Sequence, residues 1–353
     1  MASTSFSAAP HKQIINRVTL GEDVTIEVYR VLVADNVHQT AMDVLNEAEG
    51  IEVLVPDAAN RDAVKEKIGS ADALLVRSAT KVDRDLMETA SRLRVIARAG
   101  VGVDNVDLDE ATARGIAVMN TPDGNTIATA EYTFGLMLAL VRQIPQAHQS
   151  MNEGRWDRKA FMGLELRGKT LGIIGLGRIG RAVAKRAQAF EMNIIAHDTY
   201  EGAHEIARGE GTIFESVYLD DLYARADIIT LHPSLAEDTK KMIHAQALAK
   251  MKRGVYLINA ARGGLIVDAD LAAALESGQV AGAAIDVYHE EPPPPGNPLL
   301  KAPNIVHTPH LAASTEDAQI NVGVGAARLV VNALLNQDFR NVVNPAALEK
   351  RVV

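Results

Sequence analysis

Hydrophobic and polar positions alternate in blocks along most of the chain. From residue 28 onward, short runs of β-branched and other apolar residues are followed by amphipathic stretches and then by turns. Such runs are typical of buried strands, and the stretches between them have the period of helices. We predict strands at residues 29–33, 51–55, 73–76, 95–98, 116–119, 170–174, 193–196, 228–231, 255–258, 281–286 and 305–307, and helices near 39–48, 62–68 and 316–335. Their alternation indicates βαβ units and an α/β fold with a parallel sheet.

One segment breaks this rhythm. From Thr126 to Gln143 the chain is apolar nearly all round a helix, and such a helix has to be buried on every side. A core helix and a subunit interface both satisfy that requirement. We favour the interface, because the large apolar residues cover more than one face, namely Phe134, Leu136, Met137, Leu138 and Leu140.

Composition narrows the class of protein. The 353 residues suit two domains better than one, and 47% apolar with 23% charged residues is typical of globular proteins. A net charge of −9 without a basic run argues against nucleic acid as a partner, but leaves an anionic small-molecule substrate open. The lack of cysteine excludes disulfides, Cys-based zinc sites and thiol catalysis.

No apolar run approaches the roughly 18 residues that span a bilayer, so we expect no membrane association.

The start of the chain predicts a tail. Its first ten residues are small and rich in hydroxyl groups, without the charged start and apolar centre of a secretory signal. We therefore expect residues 1–25 to form a flexible tail and the protein to be cytoplasmic. Organellar targeting by the first residues is the alternative.

A glycine-rich turn points to a dinucleotide. The predicted strand 170–174 runs into Gly175, Gly177 and Gly180 follow at the GxGxxG spacing, and a helix-forming stretch comes next. Gly175 allows a tight turn, Gly177 leaves room for a pyrophosphate at the helix N-terminus, and Gly180 lets helix and strand pack closely. Asp198 ends the next strand. A carboxylate there accepts ribose hydroxyls and repels a 2′-phosphate, which favours NAD over NADP.

A second phosphate-binding pattern is rejected. Residues 163–170 fit GxxxxGK[ST], the loop of nucleotide hydrolases. That loop requires a strand before it and a helix after it. Here a polar loop precedes the pattern and a predicted strand follows it.

Candidate catalytic residues follow the later strands, because ligands of open α/β sheets lie beyond the carboxyl ends of the strands. Arg262, ahead of two glycines, has the geometry to hold a carboxylate with two hydrogen bonds. His310 is an acid/base candidate, and His232 competes at another strand end. Glu290 or Glu291 could orient the histidine, and spacing does not choose between them. No metal cluster with convincing ligand spacing is present in the sequence.

Four motifs carry a family resemblance. The chain resembles the D-isomer-specific 2-hydroxyacid dehydrogenases in four motifs, which occur in the same order along the sequence. They are GKTLGIIGLGRIG (168–180), NAARGG (259–264), DVYHEEP (286–292) and TPHLAAST (308–315). Upstream stretches at residues 76–82, 98–105, 142–145 and 156–163 are similar to members that act on a phosphorylated hydroxy acid. The resemblance covers residues 28–335, most of the chain.

The resemblance implies an architecture. It consists of two Rossmann-like, doubly wound parallel-sheet domains with a cleft between them. Residues 26–101 and 312–353 would form a discontinuous substrate-binding domain, and residues 102–311 an NAD-binding domain. The helix from Thr126 to Gln143 matches the dimer helix of the family, so a homodimer or homotetramer is expected.

The resemblance also implies roles for residues. His310 would be the acid/base, Glu291 its partner and Arg262 the carboxylate anchor. Positions that match cofactor contacts are Thr80, Gly175, Gly177, Arg178, Ile179, Gly180, Asp198, Pro233, Thr239, Ala260, Ala261, Arg262, Asp286, His310 and Ala313. Positions that match substrate contacts are Arg77, Ser78, Gly100, Val101, Gly102, Arg158, Arg262 and His310. Arg77 and Arg158 would be the cations near a substrate phosphate. Ala312 replaces a usual glycine, and residues 232–234 depart from the usual order, which affects local cofactor contacts.

The implied activity is reversible, NAD-dependent oxidation of 3-phospho-D-glycerate, at the entry to serine synthesis. One alternative is another D-2-hydroxyacid dehydrogenase, such as a glyoxylate or hydroxypyruvate reductase. The other is a non-catalytic NAD(H)-sensing protein like the related corepressors. Such a protein would need a partner-binding surface or tail, and the short tails expected here leave little room for one. Long relatives carry C-terminal regulatory domains, and we expect no serine feedback through such a domain here.

Overall fold

The computed structural model describes residues 16–19, 25–58 and 60–350. These residues form two compact units. One contains the described residues up to Gly124 together with those from Gln319 onward, and the other is Asn125–Ala318. Each unit is built on a largely or wholly parallel β-sheet with an apolar cluster on each face, which confirms the predicted α/β fold.

The sheet of the first unit contains β1 (Asn16–Thr19), β2 (Thr25–Val33), β3 (Ile51–Leu54), β4 (Ala73–Val76), β5 (Val95–Arg98) and β6 (Ala117–Asn120). The parallel strands lie in the order β3-β2-β4-β5-β6. Successive residues point to opposite faces, so Val31 and Val33 join one apolar cluster and Leu32 the other. Burial on both faces explains why these strands read as continuous apolar runs in the sequence.

The amino-terminal tail begins to be ordered earlier than predicted. β1 pairs antiparallel with residues 25–28 at the start of β2. The expectation of a flexible tail through residue 25 is therefore wrong for residues 16–19, whose backbone groups are taken up in a strand ladder. The rest of the predicted tail, residues 1–15 and 20–24, lies outside the described residues.

The strands of the first unit are connected by α1 (Gln39–Asn46), α2 (Arg61–Ile68), α3 (Arg84–Glu88) and α4 (Leu108–Ala113). Side chains of Asn60, Asp83 and Asp107 cap the last three, each accepting from the backbone N–H three residues on. α3 and α4 are too short for a helical period to show in the sequence, and these caps are their local signal.

The first unit extends further along the chain than predicted. The expected boundary between residues 101 and 102 is wrong, because β6 pairs with β5 and α4 lies against β6. Residues 102–124 therefore belong to the first unit, and the change of unit falls between Gly124 and Asn125. The return falls after Ala318 instead of after residue 311.

The sheet of the second unit is parallel throughout. It contains β7 (Thr170–Ile174), β8 (Asn193–His197), β9 (Glu215–Ser216), β10 (Ile228–Leu231), β11 (Val255–Asn259), β12 (Val280–Ile285) and β13 (Ile305–His307). The strand order is β13-β12-β11-β10-β7-β8-β9, which reverses between β7 and β10. Ligands of open parallel sheets bind beyond the carboxyl ends of the strands at such a switch point. The glycine turn at Gly175 follows β7 and therefore lies there.

The helices of the second unit are α5 (Thr126–Val141), α6 (Ile144–Asn152), α7 (Arg178–Ala189), α8 (Glu201–Gly209), α9 (Leu219–Arg225), α10 (Ala245–Lys250) and α11 (Asp268–Glu276). α5 packs against α7 and buries Phe134 and Met137, so one side of it is a core helix. Ile127 and Gly135 on its other side are exposed. The helix ends at Val141, two residues before its predicted end at Gln143, whose backbone is left-handed (φ 52°).

The last elements are α12 (Glu316–Leu335) and α13 (Ala346–Glu349). α12 has the predicted bounds, and it buries Val322, Ala326 and Val330 in an apolar cluster of the first unit. Among the described residues it is the one helix long and apolar enough to cross a membrane, with mean hydropathy 1.3, although we expected no such span. Half of it is buried against the first sheet, as in the core helix of a globular domain.

Candidate active site

A histidine and a carboxylate meet beyond the carboxyl ends of β12 and β13. His310 Nδ1 lies 2.7 Å from Glu291 Oε2, and both side chains are partly exposed. Glu290 is exposed and makes no such bond, so the structure selects Glu291 from the pair that spacing left open. With Nδ1–H donating to Glu291, neutral His310 carries its lone pair on Nε2.

The pair perturbs the pKa of both members. The hydrogen bond from His310 to Glu291 is the main cause that raises the pKa of His310, and it outweighs burial, which acts in the opposite direction. Burial alone would raise the pKa of Glu291. Hydrogen bonds from His310 and from the backbone N–H of Tyr288 outweigh it and lower that pKa. The arrangement is therefore an ionised carboxylate that helps an imidazole to take up a proton.

Asp286 organises the loop that carries the histidine. It is fully buried at the end of β12, and its carboxylate accepts hydrogen bonds from the Thr308 hydroxyl (2.7 Å) and the backbone N–H groups of Leu311 (2.8 Å) and Ala312 (3.0 Å). The Asp286 carbonyl accepts from the N–H of His310 (2.8 Å). His310 has a left-handed backbone (φ 55°), a conformation that a non-glycine residue keeps only where its surroundings hold it.

Arg262 lies beside this pair. Buried Asn259 at the end of β11 shapes the turn, because its Nδ2 donates to the Arg262 carbonyl (2.9 Å) and its Oδ1 accepts from the Ala261 N–H (3.1 Å). A Cβ on the next residue, Gly263, would lie 1.9 Å from the carbonyl carbon of Tyr288. The arginine turn is thus in direct contact with the loop that leads to Glu291. The positive charge of Arg262 lowers the pKa of both Glu291 and His310, as expected of a guanidinium near the pair.

The glycine turn is shaped as its sequence predicts. Gly175 has φ +89°, and a Cβ there would lie 2.6 Å from the backbone of both His232 and Pro233. A Cβ on Gly180 would lie 2.1 Å from the Gly175 carbonyl oxygen, whereas one on Gly177 meets nothing within 4 Å. The fold itself therefore requires glycine at positions 175 and 180. Gly177 is not required for packing, and it leaves an open face at the N-terminus of α7. That open face fits a pyrophosphate.

Asp198 borders the same turn. Its Oδ2 accepts from the N–H of Leu176 (2.7 Å) and its Oδ1 from the N–H of Tyr200 (2.8 Å). A carboxylate fixed beside the glycine turn is the group expected to select ribose hydroxyls over a 2′-phosphate. Residues 163–170, the rejected phosphate loop, have no strand before them and lead directly into β7.

The other predicted cofactor positions of the second unit lie in loops at strand ends. Pro233 contacts the glycine turn, and the Thr239 hydroxyl closes its own loop by donating to the Ser234 carbonyl (2.7 Å). Ala260 and Ala261 follow β11, Ala313 follows β13, and Arg178 and Ile179 begin α7. These positions are consistent with a dinucleotide along the switch point, and their individual contacts stay predictions.

The predicted substrate residues fall in both units. Arg77 and Ser78 lie in the loop after β4 in the first unit, which also contains the predicted cofactor position Thr80. Gly100, Val101 and Gly102 follow the neighbouring β5, where the Gly100 N–H donates to the Thr121 hydroxyl (2.8 Å) and Asn120 Nδ2 to the Val101 carbonyl (2.6 Å). Arg158 lies in the second unit, on an exposed 3-10 turn between α6 and β7. Within the described ranges, no group of three or more His, Asp or Glu side chains is placed to hold a metal ion.

Sequence reasoning missed two supports of the second unit. Asn259 acts only through the backbone of the turn that follows it, and its signal was a polar residue at the end of an apolar strand. The other support is His232, which the sequence analysis named only as a competitor for the catalytic role. Burial lowers its pKa to about 4, and its Nε2 lies 2.9 Å from the Thr230 hydroxyl. His232 is therefore a neutral residue that backs the glycine turn.

Comparison with known proteins identifies the family. Residues 134–312 match the family model described as D-isomer specific 2-hydroxyacid dehydrogenase, NAD binding domain. A D-3-phosphoglycerate dehydrogenase of Archaeoglobus fulgidus is 48% identical over 91% of this chain and 60% of its own length. The chain thus spans about three fifths of the length of that curated relative.

Solved structures share the whole fold. A crystal structure of a Thermus thermophilus protein has a TM-score of 0.80 and 35% identity, covering 89% of this chain and 99% of the other. A glyoxylate reductase from Paecilomyes thermophila has a TM-score of 0.81 and 31% identity, covering 90% and 98%. The chain therefore belongs to the D-isomer specific 2-hydroxyacid dehydrogenase family, and its second unit contains the NAD-binding domain.

Proposed function

We propose that this protein catalyses the reversible oxidation of 3-phospho-D-glycerate to 3-phosphooxypyruvate with NAD as the acceptor, the first step of serine biosynthesis. The observation that carries the proposal is the His310–Glu291 hydrogen bond with Arg262 beside it. The choice of substrate is supported by the name and 48% identity of the Archaeoglobus fulgidus relative.

His310 moves the proton. In the oxidation, Nε2 of the neutral imidazole accepts the proton of the C2 hydroxyl. Glu291 stabilises the imidazolium that results and keeps Nδ1 as the donor. In the reverse reaction, protonated His310 returns that proton to the carbonyl oxygen. The Asp286 contacts hold the histidine in place through both steps.

Arg262 holds the substrate carboxylate. A guanidinium binds a carboxylate through two parallel hydrogen bonds, which fixes the orientation of C2 relative to His310. The same positive charge stabilises negative charge on the C2 oxygen as its proton leaves. The Asn259 contacts and the Gly263 packing keep this arginine beside the histidine.

The second unit binds NAD. The pyrophosphate would lie over Gly177 at the N-terminus of α7, and the adenosine ribose would be held by Asp198. Bound there, NAD would supply the acceptor for the hydride from C2 of the substrate. The other substrate contacts in the proposal are Arg77, Ser78, Gly100, Val101, Gly102 and Arg158.

A substrate panel tests the proposed function. The purified protein is assayed with 3-phospho-D-glycerate, D-glycerate and D-lactate, each with NAD and with NADP. We expect kcat/KM to be highest for the phosphorylated acid, by on the order of 100-fold, because Arg77 and Arg158 are the proposed partners of its phosphate. NAD should be preferred over NADP, because of Asp198.

Other results of the panel lead to the rival functions. Glyoxylate and hydroxypyruvate are assayed alongside with NADH and with NADPH, and a higher kcat/KM for their reduction would contradict the proposed substrate and favour the activity in the name of the Paecilomyes thermophila structure. Binding of NADH without turnover of any 2-hydroxy acid would contradict an enzymatic role and favour a sensor.

A homodimer or homotetramer through the α5 region completes the proposal. Ile127 is 57% exposed on the side of α5 that faces away from the core, which suits a surface covered by a second subunit. Ile127→Glu should reduce the mass measured by light scattering. Ile213→Glu, at an isoleucine 77% exposed elsewhere in the second unit, is the matched control and should leave the mass unchanged. Equal masses for both variants would contradict an interface at α5.

The proposed activity also favours a cytoplasmic location. Its substrate and cofactor are small, soluble metabolites, and the measurement is fractionation of cells that express the full chain. Recovery in an organellar fraction would contradict this location and support targeting by the first residues.

A further inference from the structure

The loop from Arg77 to Thr80 is tied to a carboxylate from another part of the first unit. Asp35 lies two residues after β2. Its Oδ2 accepts from the backbone N–H groups of Arg77 (2.6 Å) and Thr80 (3.3 Å), and its Oδ1 accepts from the Thr80 hydroxyl (2.5 Å). One carboxylate therefore fixes both ends of the loop.

An amide side chain ties the same two residues through their carbonyls. Asn105 Nδ2 donates to the carbonyl oxygens of Arg77 (2.8 Å) and Thr80 (2.7 Å). The carbonyl of Asn105 accepts in turn from the N–H of Val82 (2.8 Å). Asp35 and Asn105 thus bind opposite backbone groups of the same two residues, which leaves the loop little freedom.

The residues between the two ties are open to a ligand. Ser78 and Ala79 are exposed, and among the described residues no protein acceptor bonds to their backbone N–H groups. The Arg77 guanidinium adds a positive charge, with one Nη1 donor used on the Asn36 carbonyl (3.1 Å). Consecutive free N–H groups beside a guanidinium are suited to an anion.

We propose that Asp35 and Asn105 are positioning residues for the phosphate of the substrate. They do not touch it, and they hold the loop so that the Ser78 and Ala79 N–H groups and the Arg77 guanidinium stay available to it. The inference rests on the proposed function, because it takes the phosphate of 3-phospho-D-glycerate as the anion.

The test compares KM for the phosphorylated substrate with KM for the unphosphorylated one. Asp35→Asn keeps the size of the side chain but has one oxygen, which cannot serve all the donors that the carboxylate serves. KM for 3-phospho-D-glycerate should rise about tenfold, with kcat within about twofold and KM for D-glycerate nearly unchanged. Asn105→Asp, which replaces the donor by an acceptor, should give the same selective rise.

Asp72 offers a matched control in the same sheet. Its Oδ2 accepts from the Arg30 N–H (2.9 Å) and its Oδ1 lies 3.1 Å from Arg92 Nη2, but it precedes β4, at the opposite end of the strands from Asp35. Asp72→Asn should lower the melting temperature without changing the ratio of the two KM values. An equal rise of both KM values in Asp35→Asn, or an unchanged ratio, would overturn the proposal.

Failure of the inference is distinguishable from failure of the proposed function. A wild-type protein without turnover of 3-phospho-D-glycerate overturns the proposed function alone. Titration calorimetry with inorganic phosphate then tests the loop directly. Weaker phosphate binding in Asp35→Asn, with wild-type binding in Asp72→Asn, supports the positioning role, and equal binding or no binding in all proteins overturns it.

Discussion

His310 Nδ1 and Glu291 Oε2 are 2.7 Å apart, and this bond joins the loops that follow two adjacent parallel strands. The histidine comes from the loop after β13 and the carboxylate from the loop after β12. Because β12 and β13 pair in register up to Ile285 and His307, the sheet brings the two loops side by side. The chemistry of the pair therefore depends on the sheet and on the buried Asp286 between them.

Replacing the histidine should separate catalysis from binding. His310→Ala removes the group that takes the hydroxyl proton, so kcat should fall by a factor on the order of 10² to 10⁴. The NADH dissociation constant should change little, because the glycine turn and Asp198 are untouched. Steady-state kinetics and fluorescence titration measure the two quantities. An unchanged kcat would show that another group is the base.

Glu291→Gln should shift the pH dependence of the reaction. Oxidation needs neutral His310, so its rate rises with pH through the pKa of that residue. Hydrogen bonding to Glu291 is the main cause that raises this pKa. Without the carboxylate the rising limb of kcat/KM should therefore move to lower pH, with a lower plateau. A midpoint that stays in place or moves to higher pH would contradict the role of Glu291.

The glycine turn allows a test that separates ligand binding from folding. Gly177→Ala adds a methyl group on the open side, so the melting temperature should stay the same while NADH binding weakens about tenfold, equivalent to about 1.4 kcal/mol. Gly180→Ala forces a Cβ against the Gly175 carbonyl and should lower the free energy of unfolding by about 1–3 kcal/mol. Equal loss of stability in both variants would argue against an open cofactor face.

Gly263 should be needed for catalysis because of the space it leaves. A Cβ there would overlap the Tyr288 backbone, so Gly263→Ala should push the arginine turn away from the Glu291 loop and lower kcat/KM by on the order of 100-fold. Gly264→Ala is the matched control. Its Cβ would meet only side-chain atoms of Leu235, at 3.0 Å, and a small effect is expected. Comparable losses in both variants would show that the contact with Tyr288 is not what matters.

Much of the fold could be predicted because a buried strand or helix face produces a pattern of apolar residues in its own sequence. β4, β10 and β13 have the bounds that their apolar runs predict, and so does α12. The unit boundary could not be predicted. Residues 102–124 join the first sheet through pairing of β6 with β5, and the apolar run of a parallel strand does not reveal which strand it pairs with.

The candidate catalytic residues could be predicted for a similar reason. Arg262, Glu291 and His310 follow recognisable strands, and the rule that ligands lie beyond strand ends leads to them. Spacing could not choose Glu291 over Glu290, because the choice depends on how the loop turns toward His310. Asp35 was missed because its partner Arg77 is 42 residues away, and a carboxylate that binds backbone groups resembles any polar loop residue in the sequence.

The return of α12 to the first unit has a consequence for biosynthesis. The strands of that unit leave the ribosome first, but the helix that covers one of their apolar faces is translated only after the entire second unit. The second unit is continuous in sequence and has all its own parts as soon as it emerges. Translation order therefore favours the second unit as the earlier cooperative folding event, because one apolar face of the first unit is covered only by α1 until α12 has been made.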